Sequence, residues 1–136
     1  MKLKQLSTLL ILGSLFSQTR SLPADTAVVT YHRTSIGAQK VEYSVTTGTQ
    51  PVWGDTSNKP IAALHYTYYE RKDVINKSKR PVMISFNGGP GSGSVWMHMA
   101  YTGPMVLNVD SEGFPLQPYG VKSNPYSVLD VTDIVY

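Results

Sequence analysis

The sequence predicts an α/β fold built on a mixed sheet, and three observations carry that expectation. A short apolar run at residues 81–86 is bounded by punctuation on both sides, as in a strand covered on both faces of a sheet. A glycine-rich turn at 87–94 follows it at once, and residues 95–101 then read as a short helix closed by Gly103 and Pro104. A strand passing through a glycine turn into a helix is the architecture of a site.

The elements follow in chain order. Residues 1–24 read as a secretory signal peptide. Lys2 and Lys4 supply a positive start, and the apolar stretch 6–16 is far shorter than the roughly 20 residues needed to cross a bilayer. No stable membrane insertion is expected once the leader is cleaved, and the absence of Cys fits a secreted or periplasmic protein of bacterial type. Beyond the leader, Val41, Tyr43 and Val45 alternate with Glu42, Ser44 and Thr46, the two-residue period of a half-buried strand. Residues 61–69 form a second, aromatic-rich strand, paired antiparallel with the first across a turn-forming connection at 48–60. Residues 71–80 carry five bases beside Glu70 and Asp73 and read as a solvated turn without function. Residues 105–128, rich in Pro, Gly, Asn and Tyr, read as a long covering loop, and 130–136 begins another strand. Residues 25–136 are therefore expected to be an incomplete domain.

Composition removes several functions. The chain of 136 residues has 12 Lys+Arg, 9 Asp+Glu, three His and no Cys, which excludes disulfides, thiolate metal sites and thiol nucleophiles. Lys2, Lys4 and Arg20 are unopposed in the leader, so residues 25–136 hold nine bases and nine acids. A neutral body gives no ground for a nucleic-acid partner. His32, His65 and His98 stand 33 residues apart, without a helical i, i+4 pair, so neither a metal nor another cofactor is expected.

Three readings compete for the 87–94 turn. Phosphate binding of the Walker type matches at Gly88 and Gly93 but needs Lys where Ser94 stands, and the dinucleotide pattern fails at its third glycine from either start. An oxyanion hole is the second reading. Glycine presents its N–H to developing negative charge with no side chain in the way and tolerates φ > 0. The third is a tight crossover in which the glycines serve packing alone.

Residues 81–94, Gly103-Pro104 and the later Asn124-Pro-Tyr-Ser127 resemble the serine carboxypeptidase family (carboxypeptidase Y-like), whose hallmark is Asn-Gly-Gly-Pro-Gly-Cys/Ser-Ser. The resemblance implies the amino-terminal portion of an α/β-hydrolase fold, truncated before the nucleophile elbow. It also implies hydrolysis of C-terminal peptide bonds through a Ser-Asp-His triad, with a peptide or protein bearing a free C-terminus as substrate. Carried over by position, the Gly89 N–H is an oxyanion donor, while the Asn87 side chain and the Gly88 backbone hold the substrate's terminal carboxylate. The chain departs from the family pattern at Ser92 (Cys in the family), at Ser85 (commonly Trp) and at Tyr101 (often an acid), and the last two bear on the shape and acidity of the carboxylate pocket.

A hydrolase of this fold carries its nucleophile on a G-x-S-x-G elbow, followed by Asp and then His. No such elbow occurs here. Ser92 and Ser94 read as turn hydroxyls, and nothing in the spacing of His98, Asp110, Ser111 and Ser127 supports the reverse triad order. His32 and His65 fall in strands as structural residues; Asp130 and Asp133 flank the last strand, capping a turn or facing solvent. The triad is thus expected outside this chain, which would be an inactive piece of a serine-type carboxypeptidase. The alternatives are a secreted, non-catalytic protein that binds peptide C-termini, and an acyltransferase or other hydrolase on the same scaffold.

Overall fold

A computed structural model describes residues 25–56 and 58–136; the signal peptide expected over 1–24 lies outside them. Strand β1 (Thr26–Ile36) is rich in β-branched residues and pairs antiparallel with β2 (Gln39–Trp53). The two are joined by a two-residue turn in which Gly37 takes φ +56°, a left-handed position that favours glycine. Strand β3 (Pro60–Arg71) lies antiparallel against the other side of β2, as expected.

The connection between β2 and β3 is shorter than the sequence suggests. Gly48 and Pro51 belong to the β2 ladder, opposite Tyr66 and Ala63, and the connection shrinks to residues 54–59. Gly48 is here for close approach rather than for a turn. A Cβ at that position would lie 2.4 Å from the Thr26 carbonyl oxygen and 3.0 Å from the Tyr66 hydroxyl, which reaches across it.

Two short strands complete a five-stranded sheet in the order β1-β2-β3-β7-β4, with β4 at Val82–Ile84 and β7 at Asp133–Val135. β7 runs antiparallel to β3 and parallel to β4, so the sheet is mixed, as the fold class requires. Helix is scarce among the described residues: one helical segment over residues 95–102 and single 3-10 turns at Lys77–Lys79 and Val128–Asp130. Residues 105–128 are not a plain covering loop. β5 (Met105–Leu107) and β6 (Val121–Ser123) pair antiparallel, extended by a bridge between Val109 and Pro115.

The core sits at one end of the sheet. Val41, Leu129 and Ile134 are fully buried, joined by Ile36, Tyr43 and Tyr69, with Met83, Val128 and Tyr136 packed around them. The expectation that β4 is covered on both faces does not hold among the described residues: the face that carries Val82 and Ile84 is open, and β4 is also the outer strand of the sheet. Val82, Ile84 and Phe86 are 55%, 72% and 74% exposed.

The charged stretch after β3 also departs from expectation. Arg71 and Arg80, at its two ends, are inward-facing, each with only 7% of its side chain exposed. Asp133, expected at a turn or in solvent, is buried in the middle of the sheet. Its Oδ1 accepts from Arg80 Nε at 2.7 Å and from the Arg71 backbone N–H at 3.0 Å, and its Oδ2 accepts from the Tyr68 hydroxyl at 3.4 Å. Burial, with the Asp133 and Glu70 carboxylates nearby, pushes the Tyr68 hydroxyl up to about 12. Arg71 Nη1 and Arg80 Nη1 both donate to the Asp130 carbonyl, closing the cluster over the last 3-10 turn. The sequence signal was there, an acid at the head of an apolar strand and a base before another.

Removing one partner of a buried ion pair leaves the other charge uncompensated, at a cost of about 3–5 kcal/mol, whereas an exposed pair contributes under about 1 kcal/mol. Asp133→Ala is expected to lower the urea midpoint by several times the shift caused by Arg33→Ala, which breaks the exposed Arg33–Glu42 pair at 2.8 Å. Equal shifts would mean that the Asp133 cluster does not anchor the sheet.

Candidate functional site

The glycine turn leaves the end of β4 and enters the helical segment 95–102, so its geometry depends on both. Gly89 has φ +84° and Gly91 φ +78°, conformations that L side chains rarely adopt. A Cβ placed on Gly88, Gly89, Gly91 or Gly93 would meet nothing within 4 Å. Crowding therefore does not explain these glycines; at positions 89 and 91 the backbone conformation does. Gly88 and Gly89 are exposed and Asn87 is half-buried.

Internal hydrogen bonds hold the turn. Asn87 Nδ2 donates to Ser92 Oγ at 2.9 Å, the Asn87 N–H donates to Ser94 Oγ at 3.4 Å, and the Ser92 N–H donates to the Gly89 carbonyl at 3.4 Å. Both serines thus serve as turn hydroxyls. Among the described residues the N–H groups of Gly88 and Gly89 donate to no backbone acceptor outside the strand ladders. Asn87 and these two amides lie together because they are consecutive in the chain.

The helical segment is π-type over Met97–Thr102. Thr102 Oγ1 donates five residues back to the Met97 carbonyl at 3.0 Å, and Gly103 packs so tightly that a Cβ there would come within 2.3 Å of the His98 carbonyl oxygen. Its inner face carries His98, whose ring stacks on Tyr136 at 4.5 Å and 17° and meets Tyr69 edge-on at 5.2 Å and 67°. His98 Nε2 and the Tyr69 hydroxyl are 2.5 Å apart, and the Tyr136 hydroxyl meets Thr102 Oγ1 at 2.6 Å. Burial lowers the His98 pKa and raises that of Tyr69, whose hydroxyl is pushed up further by Tyr43 and Tyr136; burial also raises Tyr136, against the Thr102 bond. This aromatic cluster was missed at sequence level because its members lie in three separate elements. The only signal was a His four residues after Ser94, within the expected short helix.

A cleft of about 250 Å³ runs beside the turn, lined by His65, Thr67, Ser94, Val95, His98 and Tyr136. Two wider depressions, of about 530 and 550 Å³, lie over β1 and β2 around Arg33 and Glu42 and include no residue of the turn.

The other sequence candidates are dispersed. Asp110 Oδ1 caps its own turn, accepting from the N–H groups of Glu112 and Phe114 at 2.9 Å. Ser127 Oγ accepts from the Leu129 N–H and donates to the Thr102 carbonyl at 2.9 Å. His32 Nε2 pairs with Thr30 Oγ1 at 2.7 Å. No Ser-His-Asp set is assembled from them, and no group of three or more His, Asp or Glu that could hold a metal occurs among the described residues. Asn124, noted only as part of the resemblance, ties the end of the helical segment down: Nδ2 donates to the carbonyls of Tyr101 and Gly103 at 2.7 and 2.8 Å, and Oδ1 accepts from the Tyr126 N–H.

A family model described as serine carboxypeptidase matches residues 42–136. Among curated proteins, the chain is similar to Carboxypeptidase S1 homolog B of Arthroderma otae, with 36% identity over 72 residues. Those residues are 53% of this chain and 10% of that protein, so the match spans about a tenth of the relative's length. No solved structure matches the chain.

If backbone conformation sets the glycine requirement, Gly89→Ala is expected to destabilise the chain by about 1–2 kcal/mol, the cost of a left-handed L-residue. Gly93→Ala, with open space and no positive φ, should fall within about 0.5 kcal/mol of the parent in the same thermal melt. Equal tolerance at both sites would refute the conformational argument.

Proposed function

The chain belongs to the serine carboxypeptidase family, and from that premise we propose that it supplies the anion-binding part of a serine-type carboxypeptidase, which hydrolyses the C-terminal peptide bond of a peptide or protein. The observation that carries the reading is the pair of exposed amides at Gly88 and Gly89, set in a turn with φ +84° beside the Asn87 carboxamide. In this reading the Gly89 N–H donates to the oxyanion that forms when a serine attacks the scissile carbonyl. One such donor contributes about 3–4 kcal/mol of transition-state stabilisation. Asn87 spends one amide hydrogen on Ser92 and keeps a second N–H for the substrate's terminal carboxylate, with the Gly88 N–H beside it.

The division of labour follows from charge. The substrate carboxylate is negative before reaction and the oxyanion only during it, so neighbouring neutral donors hold the first without neutralising the second. Serine, aspartate and histidine of the triad are assigned outside residues 25–136, since the serines of the turn are committed to holding its shape. Residues 1–24 would direct export of the product.

Titration of the chain with benzyloxycarbonyl-Phe-Leu and with its C-terminal amide tests the reading. The free acid is expected to bind at least about tenfold more tightly than the amide, and Asn87→Ala to remove about 1–3 kcal/mol of that preference. Equal binding of acid and amide would sink the carboxylate assignment. Turnover of the peptide that a serine-directed phosphonylating reagent abolishes would place the triad inside this chain, against the proposal.

A further inference from the structure

A continuous series of hydrogen bonds leads from the sheet to the glycine turn. The Tyr69 hydroxyl on β3 meets His98 Nε2; the His98 N–H donates to the Ser94 carbonyl at 3.0 Å; Ser94 Oγ accepts from the Asn87 N–H; the Asn87 side chain holds Ser92; and the Ser92 N–H closes on the Gly89 carbonyl. His98 carries the series across from the sheet, through Tyr69, to the backbone between the turn and the helical segment, through Ser94. Gly103 seals its carbonyl from the other side, and Tyr136, the residue after β7, covers its ring.

We propose that His98 is a positioning residue: its ring, gripped by Tyr69 and Tyr136, fixes the helical segment against the sheet and so sets where the amides of Gly88 and Gly89 point. This rests on the reading of the turn as an anion-binding loop. Burial disfavours both the Tyr69 phenolate and the His98 imidazolium. In the tautomer with the ring proton on Nδ1, the Tyr69 hydroxyl donates and Nε2 accepts. When the ring takes a proton at Nε2, the acceptor is lost and a cation is left in an aromatic enclosure. The titratable groups facing it are Tyr69 and His65 from β3 and Tyr136, which follows β7; no Asp or Glu of the described residues lines this cleft to receive the charge. The sign follows directly: a His whose folded value is depressed costs the ordered turn nothing above the ordinary histidine value, and the penalty grows as pH falls through and below it.

Nuclear magnetic resonance of the 136-residue chain tests the proposal without needing turnover. As pH is lowered from about 8 to about 4, the His98 ring is expected to titrate below the ordinary histidine value. The amides of Gly88, Gly89 and Ser92 should shift with the same midpoint, and the Ser92 amide, which is bonded to the Gly89 carbonyl, should lose about tenfold or more of its exchange protection. Tyr69→Phe, which keeps the aromatic ring but not the donor, should raise the His98 midpoint. His98→Gln, which offers Tyr69 an acceptor at the same reach, should keep the neutral-pH shifts of the turn and abolish their pH dependence, while His65→Gln should leave the coupling intact. Turn amides that stay fixed while His98 titrates would overturn the proposal, as would a His98 midpoint unmoved by Tyr69→Phe. Loss of acid-over-amide binding with this coupling intact would instead fall on the functional reading alone.

Discussion

The Asp133 carboxylate is the interaction on which the rest of the architecture depends. It sits inside the sheet, where an unpaired charge is not sustainable, and it is met by the Arg80 guanidinium, the Arg71 amide and the Tyr68 hydroxyl. Those partners come from the segment before β4 and from β3, the two strands that flank β7. Satisfying the charge therefore fixes the lateral order of three strands at once. With Asp133 held, the next residue on the core face, Ile134, enters the apolar cluster, and Tyr136 reaches the ring of His98. The same register aligns Ile84 with Val135, so β4 ends beside the end of β7 and releases the turn above the sheet.

How much of this is legible in sequence depends on the range of the forces involved. Local signals served well: the alternation at Val41, Tyr43 and Val45 marks the buried face of β2, and the glycine turn followed by a short helix stands where the pattern places it. Signals that depend on partners far along the chain did not. Gly48 and Pro51 look like turn formers, yet a cross-strand contact decides that Gly48 belongs inside a ladder. Arg71 and Arg80 look like solvated charge until Asp133, more than fifty residues away, is known to lie between them. β1 went unread because most of its residues are exposed and show no one-sided burial to generate a pattern.

The site repeats the same division. Asn87, Gly88 and Gly89 are contiguous, so their proximity is given by the chain itself and a motif suffices to find them. What orients them is the Tyr69, His98 and Tyr136 cluster, assembled from β3, the helical segment and the residue that follows β7 and invisible to any local pattern. Glycine at position 89 supplies conformational access to the required backbone, whereas the serines and Asn87 supply the bonds that keep one conformation out of the many that glycine allows. A loop of glycines without such bonds would bind anions with a large ordering penalty.

The outer half of the three-stranded ribbon has a thermodynamic consequence of its own. In β1 only Thr34 and Ile36 are buried, and β3 is exposed from Pro60 through His65, so this part of the sheet is wetted on both sides while remaining fully laddered. Melting it uncovers peptide groups more than hydrocarbon, and the two contribute to heat capacity with opposite sign. The ribbon thus adds enthalpy to the folded state with little curvature in its free energy against temperature, leaving the small cluster around Val41, Leu129 and Ile134 to determine how steeply stability bends toward the cold.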